Sequence, residues 1–452
     1  MRSVFIIFLI ICYNSSFSQQ PTDNRKTEIV FQNVNVIPMV REQILENQTV
    51  VVKDGKITSM GSANQVKFGD NANIIDGKGK YLIPGLAEMH AHVPPANDLE
   101  PMKEVLRLFA LHGITTIRGM LGHPRHLELR DKIRSGEIMG PNFITSGPAV
   151  SGQSAKSASQ AAELVREQKK AGYDFLKVLP GLDNDSFSAM VETAKEVGIT
   201  YAGHVPFEVG IWRAIEAGYA TIDHLDGFVE GLVPGIENMT SEQAGLFGVF
   251  IGDQADKSQI PKLIDGLKKQ NIWVVPTQAL AERWMSPVPA EEFMNAPEMK
   301  YMAEETRNNW LKSKNNLLNN PNYENEKVEE YLALRRYLIK ECQENGVGLL
   351  LGCDAPQVFN VPGISTHHEL RYLVDSGLSP YEALRTGTVN VATFLNKPNS
   401  GTIKTGNVSD LVLLNGNPLQ NIDESKNIEG VMLGNLWLPH NYVQQELKKL
   451  EK

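Results

Sequence analysis

Residues 82–92, LIPGLAEMHAH, are apolar for most of their length and end on two histidines one residue apart. Such a run reads as a buried strand giving way to a loop. Seven more follow: ITTIRGM at 114–120, NFITSG at 142–147, YDFLKVL at 173–179, ITYAGHV at 199–205, ATIDHL at 220–225, IWVVPT at 272–277 and VGLLLGCD at 347–354. Between them lie segments with helical spacing, such as 99–113, 157–172 and 185–198, each closing on glycine as helices commonly do. Strands alternating with helices imply an α/β fold with a parallel sheet. Eight strands are the number that closes a (β/α)8 TIM barrel, here expected over 83–397.

Both flanks change character. Residues 29–38, 48–61 and 73–85 read as short strands joined by turns, with Asp54-Gly55 and Asp76-Gly77 as hairpin-type dipeptides. The same pattern returns at 401–418 and 428–438. Two β segments bracketing a long middle predict one composite β-sandwich built from 26–82 and 398–440. The largest excursion inside the middle, 285–346, is charged and rich in asparagine, and reads as an elaborated barrel helix or as a lid. The last dozen residues read as a solvated helical tail.

A chain of 452 residues exceeds one small core, and 42% hydrophobic with 21% charged residues is ordinary for a globular protein. The net charge of −9, from 44 basic and 53 acidic residues without long like-charge blocks, argues against nucleic acid as a partner. At the N-terminus Arg2 precedes the apolar run 4–13, followed by NSSFSQQ. That order predicts a cleaved signal peptide at 1–18 and hence a periplasmic or secreted protein. The run is far shorter than the roughly 20 residues a membrane span needs, so no stable span is expected. Cys12 fits a lipoprotein pattern only loosely, because Ile11 stands where that pattern wants a small residue. The remaining cysteines, Cys342 and Cys353, are compatible with one disulfide or with two buried thiols. A homo-oligomer is left open.

Six side chains that end these runs form a candidate metal centre. His90 and His92 sit at i and i+2 of one strand, so both imidazoles face the same way. His204 and His224 end the fifth and sixth runs in equivalent positions, where together they can chelate a second cation. Lys177 ends the fourth; as an ammonium it cannot ligate, but carboxylated by CO2 it becomes an anionic carbamate able to bridge two metals. Asp354 ends the eighth, where a carboxylate can ligate and also exchange a proton. Taken singly, each has a structural reading: a surface His-x-His, a core histidine, an ion-paired lysine, a helix-capping aspartate.

The stretches KYLIPGLAEMHAH, HGITTIRGM, GYDFLKV, AGHVP, TIDHLDG, LLLGCDAP, HHELRYLVDSGLSPYEALRTGTVNVA and GTIKTGNVSDLVLLNGNPL together resemble the amidohydrolase superfamily. The nearer likeness is to its imidazolonepropionase-like and prolidase-like branch, and it covers nearly all of the chain beyond the signal segment. The resemblance implies a barrel plus composite β-sandwich and two divalent metals, usually zinc. By motif, His90, His92 and Asp354 would hold one and His204 and His224 the other, with carboxylated Lys177 between. The sequence departs from the branch at Gly119, often Asp there, which leaves His123 and His126 open to a different substrate contact.

Further substrate contacts are expected from Arg118, which could equally be a structural ion pair, and from Tyr201; Trp273 and Thr277 would wall the seventh strand. His367 or His368 would support the centre from behind. The reaction expected is hydrolysis of an amide or peptide bond in a small molecule, such as a dipeptide or N-acyl amino acid. Two cations roughly 3.5–4 Å apart would share the attacking hydroxide while Asp354 shuttles its proton. The alternatives are a lactonase or phosphotriesterase on the same core, and a mononuclear cyclic-amide hydrolase or deaminase, which needs no lysine bridge. A catalytically dead barrel serving as a binding module is the remaining reading.

Overall fold

The computed structural model describes residues 20–452 apart from Asn64, Pro95 and Asn97. The expected signal peptide 1–18 and Cys12 therefore lie outside the described residues. The N-terminal flank forms β1 (Thr22–Asp23), β2 (Ile29–Val36), β3 (Leu45–Lys53), β4 (Lys56–Ser62), β5 (Asn73–Asp76) and β6 (Tyr81–Pro84). The middle supplies β7 (Leu86–Ala91), β8 (Ile114–Gly119), β9 (Asn142–Thr145), β10 (Phe175–Val178), β11 (Thr200–Gly203), β12 (Thr221–Asp223) and β13 (Trp273–Val275). The C-terminal flank returns with β14 (Leu411–Leu414), β15 (Ile428–Leu433) and β16 (Leu436–Pro439).

Strands of the two flanks share one nine-stranded sheet, ordered β1-β16-β15-β14-β6-β2-β3-β4 with β5 beside β2. Leu82 of β6 faces Leu413 of β14 in antiparallel register, joining the two flanks. Three strands separate β2 from β16 in that order, yet Phe31 and Trp437 meet edge-to-face with ring centroids 5.1 Å apart. The sheet therefore curls over itself around a core that includes Ile29, Val50, Leu82 and Leu413. Asp54-Gly55 closes the β3–β4 hairpin. Asp76-Gly77 closes none, because β5 and β6 both pair in parallel with β2.

The middle strands are parallel throughout, as β7-β8-β9 and β10-β11-β12-β13. Single parallel bridges join the sets, Ser146 to Phe175 and Val150 to Val178. The eighth run is bridged on both sides, Leu349 to Val274 and Ala355 to Ala91, but it is not a regular strand. Its backbone must slip past an indole: a Cβ on Gly348 would lie 2.2 Å from the Trp273 ring. Helices follow the strands, with Ser157, Asp183 and Ser379 side chains capping three of them.

Within the 285–346 excursion, helix Asn325–Glu344 packs as a core helix, burying Val328, Tyr331, Leu338 and Cys342. The inserted helix Glu304–Leu318 lies farther out. The C-terminal helix His440–Lys449 is not a solvated tail: Val443 and Leu447 are buried, as is Leu450 just beyond it, at one-face spacing. Cys342 and Cys353 are both buried and free. Among the described residues no helix is long and apolar enough to cross a membrane.

Candidate active site

The side chains expected as ligands stand within one residue of the C-terminal ends of β7, β10, β11 and β12, apart from Asp354, which ends the irregular eighth run. His90 is the last but one residue of β7, and its Nδ1–H donates to Asp223 Oδ2 at 2.7 Å. That bond leaves Nε2 facing inward, 3.3 Å from Lys177 Nζ and 3.6 Å from Asp354 Oδ1. His204 follows β11 and donates from Nδ1 to Asp226 Oδ2 at 2.8 Å, again freeing Nε2. His224 follows β12, with Nδ1 2.9 Å from the Thr277 hydroxyl. Its ring lies 4.3 Å from that of His90 and 4.6 Å from that of His204. An imidazole oriented by a partner on one nitrogen presents the other as a lone pair, which is how histidine is prepared for a metal.

The electrostatics agree. Burial, with Lys177 nearby, holds His204 down at about 3, and burial pushes His90 and His224 well below the usual histidine range. All three imidazoles are neutral at pH 7. Burial also lowers Lys177 to about 8, enlarging the neutral amine fraction to which CO2 adds. Asp354 Oδ1 is buried with no N–H or O–H donated to it, and His92 Nε2 lies 2.6 Å away. An orphaned carboxylate oxygen among unprotonated imidazoles fits a cation. Ligand atoms of His90, His224 and Asp354 lie within 4.8 Å of one another. That triad cuts across the two motif-based sets, taking His224 in place of His92.

Backbone strain concentrates at the same place. His224, Thr277 and Asp354 all hold positive φ, at 66°, 46° and 65°, a conformation such residues seldom adopt. Gly203 is fixed by Lys177: its φ is 119°, and a Cβ there would lie 2.7 Å from Lys177 Cδ. The lysine side chain runs to the centre across the space that this glycine leaves.

Several expected contacts lie elsewhere. Arg118 is buried inside the strands, donating to the Met89 carbonyl, Thr221 and Asp223. It is the structural ion pair, not a substrate contact. Tyr201 points away from the centre, its hydroxyl donating to the Ala217 carbonyl. His123 caps helix Pro124–Arg134, its Nδ1 accepting from the Arg125 N–H, while His126 faces Thr145. Trp273 opens β13 at the far end, against Phe394. His367 bridges Ser425 and the His112 carbonyl, and His368 faces Arg283, so neither supports the ligands.

Asp223, Asp226 and Glu88 were not singled out in the sequence. The motif TIDHLDG carried a signal, since carboxylates flank its histidine at −1 and +2. Glu88 accepts from the backbone N–H groups of His90 and Cys353 and from Thr366, strapping β7 to the eighth run. Burial raises its carboxyl to about 7.

A cavity of about 700 Å³ adjoins His204 and Asp226, and Leu317, Asn320, Pro321 and Asn322 of the 285–346 excursion supply one wall of it. Neither His123 nor Tyr201 lines it.

Residues 81–435 match the amidohydrolase family model. The chain is 24% identical over 225 residues to adenine deaminase 3 of Rhizobium meliloti (strain 1021), covering 46% of this chain and 38% of that one. It is 33% identical over 99 residues to the enamidase of Eubacterium barkeri, covering 22% and 25%. These matches span less than two thirds of the relatives' lengths. Among solved structures, a Xaa-Pro dipeptidase with methionine bound in its active site superposes with a TM-score of 0.66 at 19% identity, covering 91% of this chain and all 100% of that one. Bottromycin amidohydrolase gives 0.68 at 20% identity, covering 93% and 89%. With most of its length matched by the family model, the chain belongs to the amidohydrolase family.

Proposed function

We propose that this protein is a metal-dependent hydrolase of carbon–nitrogen bonds, built on a closed (β/α)8 barrel with the curled sheet as its second domain. The observation that carries the reading is the cluster of His90, His92 and His224 around the Asp354 carboxylate, with Lys177 beside His90 and His204 beside His224. His90, His92 and Asp354 would hold one divalent ion, zinc by preference, and His204 and His224 a second, with carbamylated Lys177 between them. Divalent ions held there would supply Lewis acidity toward the scissile carbonyl and would lower the pKa of bound water from about 16 to about 7.

The chain's own residues do the rest. Asp223 and Asp226 fix the tautomers of His90 and His204. Asp354 accepts a proton from attacking water and returns it to the leaving nitrogen. A dipeptide or N-acyl amino acid is the substrate class first to be tried. The export expected from residues 1–18 belongs to the same proposal, and N-terminal sequencing of the mature protein tests it.

A second reading has its own support. The compact triad His90, His224 and Asp354 could serve one ion, and several relatives are called adenine deaminases. The deciding experiment combines metal content per chain with turnover on dipeptides, N-acyl amino acids, adenine, lactones and phosphotriesters, in wild type and in Lys177→Ala. Two ions per chain and amide turnover abolished by Lys177→Ala are expected. One ion with full activity in Lys177→Ala favours the deaminase-type centre. No turnover by metal-loaded protein on any amide or amidine overturns both.

A further inference from the structure

The cavity beside His204 is walled by Phe207, Trp212, Leu246, Phe247 and Phe250, with Leu317 of the excursion contributing to the lining. Its apolar surface starts at the proposed ligands themselves. The Phe247 ring lies nearly parallel to those of His224, 5.0 Å away at 12°, and His204, 5.8 Å away at 17°. Of the proposed ligands His204 lines the cavity itself, so a molecule seated at that end lies beside the metal centre, and about 700 Å³ suits a small organic molecule.

The charged lining is one-sided. Asp226, Glu230 and Glu242 line the cavity, and among the described residues no lysine or arginine does. Lys262 stands 4.2 Å from the centre of the Trp212 ring but is not part of the lining. Glu230 Oε2 is buried and lacks a hydrogen-bond partner. Its acidic neighbour Asp226 is engaged by His204 and by the Val205 N–H. Arg335 brings positive charge near, yet directs its donors to Gln278 and to the His224 and Pro276 carbonyls. Burial, with Asp226 beside it, raises the Glu230 carboxyl to about 8, the mark of an acid without a counter-charge. A ligand that brings an N–H donor and a positive charge satisfies this oxygen and favours its ionised form; an anion meets three acidic side chains and no cation.

We propose that this cavity is the specificity pocket of the hydrolase put forward above, and that it takes an apolar, ring-sized group bearing a protonated amine held by Glu230. The inference rests on that hydrolase reading for its role, though the pocket's selectivity is measurable without turnover. It favours substrates with a free ammonium over those presenting a carboxylate to this side of the centre.

The test uses three probes with one apolar body: 4-phenylbutylamine, 4-phenylbutanol and 4-phenylbutanoate. Binding to the zinc-loaded full chain is read from Trp212 fluorescence, with Trp212→Phe as the blank. The amine should bind at least about tenfold tighter than the alcohol, and the carboxylate weakest of the three. Glu230→Gln, checked for unchanged zinc content and Tm, should bring amine and alcohol within about twofold. Carboxylate binding equal to the amine in wild type, binding by none of the three, or an amine preference surviving in Glu230→Gln overturns the proposal. An intact amine preference without turnover on any amide sinks the hydrolase and keeps the pocket's selectivity. Amide turnover without that preference does the reverse.

Discussion

Asp354 is held in a left-handed conformation with one oxygen lacking any hydrogen bond, an arrangement that costs stability unless something else meets that oxygen. Asp354→Asn keeps the shape and removes the charge and the proton acceptor. Turnover should fall by at least about a hundredfold with the fold retained; wild-type kcat in that variant would refute the shuttle. Asp226 acts one step removed, through His204. Asp226→Asn leaves the imidazole less well oriented, and metal affinity measured by chelator competition should drop about 10- to 100-fold. Gly203→Ala places a methyl group against Lys177 Cδ and the Val178 carbonyl. The lysine must move, so zinc content should fall toward one ion per chain and activity with it. Two bound ions and unchanged kcat/KM would contradict the placement of Lys177 between the metals.

At the scale of single elements, parity decided what the sequence could tell. His90 and His92 share a face because strand side chains alternate, and His204 and His224 occupy equivalent strand ends. Tyr201 stands three residues before His204, an odd spacing, and so faces the helices rather than the centre. Trp273 begins its strand and cannot reach the opposite end. Arg118 has the right strand but the wrong depth, because Asp223 holds it inside. No periodicity reports depth. The eighth run kept its apolar pattern while losing regular strand geometry, with Gly348 letting its backbone pass the Trp273 ring and Gly352 letting it pass Val275. His367 shows an element-level role that a motif match could not separate from a catalytic one. It ties helix Ile364–Asp375 to Ser425 on one side and to the His112 carbonyl on the other. His367→Ala leaves two buried polar groups unpaired and should cost about 2–4 kcal/mol. The observable is a lowered Tm with kcat/KM unchanged; a loss of kcat at constant Tm would return His367 to the active site.

Across the whole molecule, the alternation of strands and helices was plain in the sequence, whereas the way the two flanks close on each other was not. Pairing between β6 and β14 is a long-range choice, and either flank alone offers several partners for its strands. The candidate ligands add another long-range tie, since they come from β7, β10, β11, β12 and the bend after the eighth run. That run makes isolated β-bridges rather than a regular ladder with its neighbours, with the Glu88 strap beside them. A cation clasped there binds the folded chain and has no comparable site in the unfolded one, so it stabilises by mass action. At free metal 100 to 1,000 times its dissociation constant the gain is about 2.7–4.1 kcal/mol. Removing it also leaves Asp354 and Lys177 buried without the ion's field. Thermal unfolding with and without a chelator should therefore differ by several degrees, with readdition of zinc restoring the higher value. In Asp354→Asn the difference should shrink, because one ligand of the set is weakened. An identical Tm before and after complete metal removal, verified by elemental analysis, would show that the six side chains are not joined through metal.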